Sequence, residues 1–142
     1  MRLVSPTGWS VELPDDFIQK DNTDSWQAHN PQGSRVVYIA SLDVGSPEAR
    51  PSADQIAQRA FKDDAGVIDF KSGPVVGRAR VSAQEGTWVV NAISAITGRV
   101  ATITITVTDE DDIAWAIDSW KSIRFESDQR KQTHRWFRRG TS

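Results

Sequence analysis

The chain has no cysteine, and its 142 residues include only two histidines, one methionine and one tyrosine. Without cysteine there is no disulfide, no thiolate metal ligand and no cysteine nucleophile, a usage that fits a reducing compartment. His29 and His134 lie far apart, one beside a turn and one near the C terminus, in no metal-binding or triad signature. A Gly-rich phosphate loop is missing too: Gly73-Pro74-Val75-Val76-Gly77 has neither the glycine pattern nor the lysine. Asp15-Asp16 and Asp63-Asp64 are adjacent acids, but one pair follows a turn proline and the other ends a helical pattern, so both read as solvated surface. There is no run of about 18 apolar residues to span a bilayer, and Met1 to Pro6 lacks the apolar core of a signal peptide. These absences predict a cytoplasmic protein that is not an enzyme, with no catalytic residue, metal or cofactor.

What is present is β structure. Val100 to Thr108 alternates strictly, with Ile103, Ile105 and Val107 on one face and Thr102, Thr104 and Thr106 on the other. Thr87 to Ile96 is also β-rich, and Thr97-Gly98 between the two runs predicts a hairpin. A two-residue turn sets Ile96 opposite Arg99, Ala92 opposite Ile103, Val90 opposite Ile105 and Trp88 opposite Val107. One face is then almost wholly apolar, whereas a slip of one residue would divide the core between the two faces. A four-residue turn at Ala83-Gln84-Glu85-Gly86 extends the sheet backward and sets Arg80 opposite Val89 and Arg78 opposite Asn91. The second face thereby collects Arg78, Arg80, Asn91 and the threonines.

Upstream, Trp9 to Leu13, Ser25 to Asn30 and Ser34 to Val44 read as strands, with Asn30-Pro31-Gln32-Gly33 as a type I turn. Val36 to Ala40 is apolar at nearly consecutive positions, the pattern of a strand covered on both faces. Ser52-Ala53-Asp54-Gln55 is a capping box for a first helix with the stripe Ala53, Ile56, Ala57, Ala60 and Phe61, ending near Gly66. Val67 to Phe70 is a short strand. Asp109 to Asp112 precedes a second helix with Ile113, Ala116, Ile117 and Trp120 on one side; Thr108 with Asp111 fits a capping box, and the acids suit the helix dipole. The order βββαβββαβ is that of an α+β domain with an antiparallel sheet of six to seven strands.

Trp115 lies about 200° around that helix from Ile113. Such an outward tryptophan is either covered by another segment, the C-terminal tail being the obvious one, or a partner contact. The charge is also divided. Residues 1–128 carry 12 basic against 19 acidic side chains, or −7, whereas 129–142 holds Arg130, Lys131, Arg135, Arg138 and Arg139 with no acid, or +5. This predicts one domain over 1–128 and a basic tail over 129–142. The tail is expected to pack on its own domain or on a second copy, giving a homodimer, with Trp136 and Phe137 as anchors. Nucleic acid is the disfavoured partner, because the acidic body repels polyanions.

Two stretches carry a resemblance. Gly8-Trp9-Ser10-Val11-Glu12-Leu13-Pro14-Asp15-Asp16-Phe17 is similar to the opening of the PsbP-like superfamily, an aromatic strand followed by proline and phenylalanine. Ser119-Trp120-Lys121-Ser122-Ile123-Arg124-Phe125 resembles its closing helix and strand, so the likeness spans Gly8 to Phe125. The superfamily includes Mog-type Ran-binding factors and small bacterial proteins. The resemblance implies an antiparallel sheet between helical layers, in an α/β/α sandwich used for binding by photosystem subunits, GTPase partners and secretion-effector chaperones; the basic tail departs from it. The expected role is a non-catalytic module for another protein, as chaperone, adaptor or immunity-type partner. Its candidate contacts are Arg78, Arg80, Asn91, Trp115, Arg135, Trp136, Phe137, Arg138 and Arg139. The alternative is a small-ligand binder or enzyme with a pocket on the Arg78/Arg80 face.

Overall fold

The alternating runs form two antiparallel sheets in a computed structural model that describes residues 2–5, 7–21 and 25–126. The elements run β1 (Arg2–Val4), β2 (Trp9–Glu12), β3 (Ile18–Asp21), β4 (Ser25–His29), β5 (Arg35–Asp43), α1 (Ala53–Arg59), β6 (Ile68–Ser72), β7 (Val75–Gln84), β8 (Thr87–Ile96) and β9 (Arg99–Val107). A 3₁₀ turn (Glu110–Asp112) then leads into α2 (Ile113–Lys121) and β10 (Arg124–Phe125). The large sheet has the order β3-β4-β5-β9-β8-β7-β6, and β1-β2-β10 form a small one.

Alternation decides the layers. Trp26, Ala28, Val37, Ile39, Val90, Ala92, Ala101, Ile103, Ile105 and Val107 are all buried on one face of the large sheet. α2 and the small sheet close that face, bringing Trp9, Val11, Ala116, Trp120 and Ile123 into the same core. Trp120 donates its indole N–H to Ser94 Oγ at 3.0 Å and lies so close to β7 that a Cβ on Gly77 would sit 2.8 Å from its Cζ2. The opposite face receives only α1, which packs on β7, β8 and β9 at one end, over Val76, Ile93, Ala95 and Val100.

The β8–β9 register is the expected one, with Trp88 opposite Val107 and Ile96 opposite Arg99. The β7–β8 register differs by two residues: Arg80 opposes Asn91 and Arg78 opposes Ile93. The chain turns through Glu85-Gly86 alone, because Gly86 accepts φ +71° and lets Gln84 pair with Thr87. A slip of two leaves each side chain on its expected face.

Three local expectations need correction. Helix α1 ends at Arg59, well before Gly66: Ala60 is extended and Phe61 turns the chain at φ +52°, so Ala60 and Phe61 leave the helical stripe. Ahead of the second helix, Asp109 in place of Thr108 caps the 3₁₀ turn, its side chain accepting from Asp111 N at 2.9 Å, and α2 itself starts from Asp112 with no side-chain cap bond. The strand Trp9–Glu12 joins β1 and β10 in a separate small sheet, and β3 and β6 are the outer strands of the large one.

Candidate functional site

The face beside α1 is open over β3, β4 and β5. Tyr38 is opposite Thr104 on one side and Gln27 on the other, and Leu42 is opposite Val100. Ile18 pairs with His29, which pairs with Val36, so Ile18, Val36, Tyr38 and Leu42 all point to this side. Three of them stand out from the core: Ile18 is 53%, Tyr38 41% and Leu42 58% exposed. Ala40, Thr102, Thr104, Thr106 and Asn91 lie between or beside them, half-buried. The result is a flat strip of one aromatic ring, aliphatic groups and a threonine column, with Lys20 and Arg80 at its margins.

The sequence-derived candidates divide. Arg78 is committed to the fold: its Nε donates to Asp69 Oδ1 at 2.7 Å, and Nη1 reaches the carbonyls of Ala60 at 3.3 Å and Gln58 at 3.5 Å. A guanidinium thus satisfies the free carbonyls at the end of α1 and ties the helix to β6. Arg80, 45% exposed along its side chain, lies 3.6 Å from Asp64 and stacks on the Phe61 ring at 4.9 Å. That stacking holds the backbone reversal at Phe61, a left-handed conformation that bulky residues rarely adopt. Asn91 sits across the ladder from Arg80 and borders the open strip.

Trp115 is on the other side of the molecule, away from this strip. Phe17 packs against it with ring centroids 5.7 Å apart, and the Arg35 guanidinium lies 4.5 Å from its ring centre. Arg35 in turn donates from Nε and Nη2 to both carboxylate oxygens of Asp112, at 3.1 and 2.8 Å. Hydrogen bonding from Arg35, with its positive charge, holds the Asp112 carboxyl below its ordinary value against the opposing effect of burial, and Arg35 is correspondingly raised. The cover over Trp115 therefore comes from the β2–β3 loop and β5. Arg135, Trp136, Phe137, Arg138 and Arg139 lie outside the described residues.

Reading the sequence for charged and outward groups passed over Ile18, Tyr38 and Leu42. The signal for two of them was present in β5, whose Val36, Tyr38, Ala40 and Leu42 are too apolar for a solvated face.

A shallow cleft of about 320 Å³ lies between α1 and the β6–β7 hairpin, lined by Asp54, Gln58, Asp69, Phe70, Lys71 and Arg78 among others. Among the described residues, no group of three or more His, Asp or Glu is gathered as a metal site would require. Nor is any helix among them long and apolar enough to cross a membrane.

An antiparallel α+β domain with a helix on each face of its main sheet is the class these elements define. More narrowly, the fold is PsbP-like. The solution structure of cyanobacterial PsbP, CyanoP, from Synechocystis sp. PCC 6803 matches with a TM-score of 0.62 at 10% identity, over 89% of this chain and 92% of that one. A crystal structure of a protein from Bacteroides thetaiotaomicron VPI-5482 matches with a TM-score of 0.61 at 16% identity over 89% of this chain. The match covers 48% of that protein, so this chain spans about half its length. No protein-family model and no curated protein sequence matches the chain.

Proposed function

We propose that the chain is a non-catalytic protein-binding module of the cytoplasm, a chaperone, adaptor or immunity-type partner, that docks its partner on the open strip of the large sheet. The observation that carries this reading is the exposure of Ile18, Tyr38 and Leu42 on one sheet face. Exposed apolar side chains about an aromatic ring, interleaved with polar groups such as Gln27 and His29, are what protein interfaces use. A flat strip also suits a macromolecule better than a small ligand, which needs most of its surface enclosed. The cleft beside Arg78 supports the small-ligand reading less well, because that guanidinium is already held by Asp69 and the end of α1.

The test has two stages. Affinity purification of the full chain from its native host identifies a partner, and the purified partner is then titrated against wild type, Tyr38→Asp and Leu42→Asp. Expected is at least a tenfold loss of affinity for both variants with an unchanged far-UV spectrum. Equal affinities for all three proteins would remove the strip from the interface.

A further inference from the structure

We infer that the partner on the strip is an acidic protein segment: a groove at the α1 end of the strip, walled by Arg50 and Arg59, takes its carboxylates, while neighbouring apolar residues lie along Leu42 and Tyr38. This deepens the reading above and rests on it for the apolar half of the contact.

The groove continues the strip. Val44 N–H donates to the Gly98 carbonyl at 2.9 Å, which carries the β5–β9 ladder one residue past Asp43. Val44 therefore projects to the side of Leu42 and Tyr38, and it packs on the small core that holds Ala53, Ala95 and Val100. Beside it lies an open groove of about 450 Å³, lined also by Arg50, Gln55 and Arg59. Along the strand, Val44 is about 7 Å from Leu42 and about 20 Å from Tyr38, a span of two to six extended residues.

The cations of this groove are uncompensated. No acidic side chain lines it, and among the described residues neither guanidinium has an ion-pair or hydrogen-bond partner. Two nearby clefts differ: Lys71 and Arg78 share one with Asp54 and Asp69, and Lys62 and Arg80 share the other with Asp63 and Asp64. The open face agrees with the groove. Strands β3, β4, β5, β9 and β8 project no Asp or Glu onto it, although residues 1–128 hold 19 acids against 12 bases.

The walls are also preformed. A Cβ on Gly98 would stand 2.8 Å from Arg50 Cδ, so the arginine stem lies pressed on the β8–β9 turn. Gly45, at φ +82°, folds the loop so tightly that a Cβ there would clash with the Ala49 carbonyl oxygen. Gln55 Oε1 accepts from Ser52 N at 2.9 Å, which fixes a third side chain in the wall. Guanidinium forks suit carboxylates in bidentate geometry, and a placed stem leaves less freedom to lose on binding. A nucleic acid would call for cations along its whole track, whereas these two stand at one end of an otherwise apolar and threonine-rich strip.

The full chain is panned against a phage-displayed library of random peptides. Expected is enrichment of Asp or Glu within about two to six residues of an aromatic or aliphatic side chain. A fluorescein-labelled peptide of the enriched sequence should bind Arg50→Gln/Arg59→Gln at least tenfold more weakly than wild type, with the difference shrinking as salt rises. Both arginines are exposed, so thermal unfolding of the variant should match wild type. Tyr38→Thr, which adds no charge, should weaken the same peptide.

Enriched peptides without acids that still lose affinity in Tyr38→Thr would overturn the acidic partner and leave the strip as the docking face. Acidic peptides that respond to the arginines and not to Tyr38→Thr would keep the groove and overturn its link to the strip. No enrichment, or equal affinity for all three proteins, overturns the inference. So does a labelled single-stranded oligonucleotide that binds wild type and not the arginine variant, since it would assign the groove to nucleic acid.

Discussion

The two faces of the large sheet are built from the same strands and differ in what covers them. On one, Ile103, Ile105 and Val107 of β9 disappear beneath α2 and the small sheet. On the other, Thr102, Thr104 and Thr106 of the same strand are left half-buried beside an exposed Tyr38, because α1 is only seven residues long and covers one end. Burial on the first face supplies stability. The second retains apolar surface whose contribution depends on something arriving to cover it. The contrast is also one of sequence: a threonine column tolerates both water and a partner, whereas an isoleucine column demands a core.

The sharpest test of the contrast is a truncation on the closed face. Ile105→Ala removes a fully buried side chain and should destabilise by about 2–5 kcal/mol in chemical denaturation. A loss under ~1 kcal/mol would mean that Ile105 is not in the core and that the faces have been assigned the wrong way round.

The two arginines of β7 sharpen the comparison on the α1 side. Arg78 is mostly covered and holds the end of α1, so Arg78→Met should cost on the order of 1–2 kcal/mol through the lost charged hydrogen bonds and uncapped carbonyls. Arg80 is nearly half exposed, and its ion pair with Asp64 is a surface one; Arg80→Met should cost below ~1 kcal/mol. Equal costs in urea titrations would contradict the division of labour between them.

The Arg35–Asp112 pair gives the closed side a pH signature. Its carboxyl is lower in the folded state than in the unfolded chain, so the unfolded state binds the proton more tightly. The stabilisation is therefore complete above the unfolded carboxylate value of about 3.9 and is lost as pH falls through the folded value. Asp112→Asn should flatten that acid limb while leaving the slope above pH 5 unchanged. An identical acid limb in wild type and variant would show that the pair carries no pH-dependent stability.

How much of this was legible in advance follows from which interactions are local. Strict alternation in β9 and the Thr97-Gly98 turn were enough for the β8–β9 register, because a slip there would have exposed Ile103 and Ile105. The β7–β8 register was off by two, since that error moves no side chain to the wrong face and the apolar pattern cannot detect it. The early end of α1 at Ala60 was hidden for another reason. It depends on Arg78 reaching the last carbonyls from a strand 18 residues later, and on Arg80 stacking on Phe61. Of the site, Arg80 and Asn91 were found as polar groups on the right face. Tyr38 was read as covered, because Val36 to Ala40 has the pattern of a strand buried on both faces, and Leu42 was placed only in that strand; the tertiary structure alone shows where α1 stops.

That misreading sets up the smallest expected effect on stability and the most informative one. Tyr38→Thr replaces the exposed ring by the residue that already lines the neighbouring strand at Thr104, and threonine suits a β-strand, so the ladder itself is undisturbed. Its cost should stay below ~1 kcal/mol, well under that of Ile105→Ala, because Tyr38 retains 41% exposure and contributes little to the core. Binding should respond far more strongly, since aromatic side chains at the centre of an interface carry a disproportionate share of its energy. The measurement is a pair of curves on one protein sample: thermal unfolding, expected to be nearly superimposable with wild type, and titration of the purified partner, expected to weaken at least tenfold. A variant that unfolded as readily as Ile105→Ala would make Tyr38 part of the core. One that kept full affinity would leave the open strip as ordinary surface.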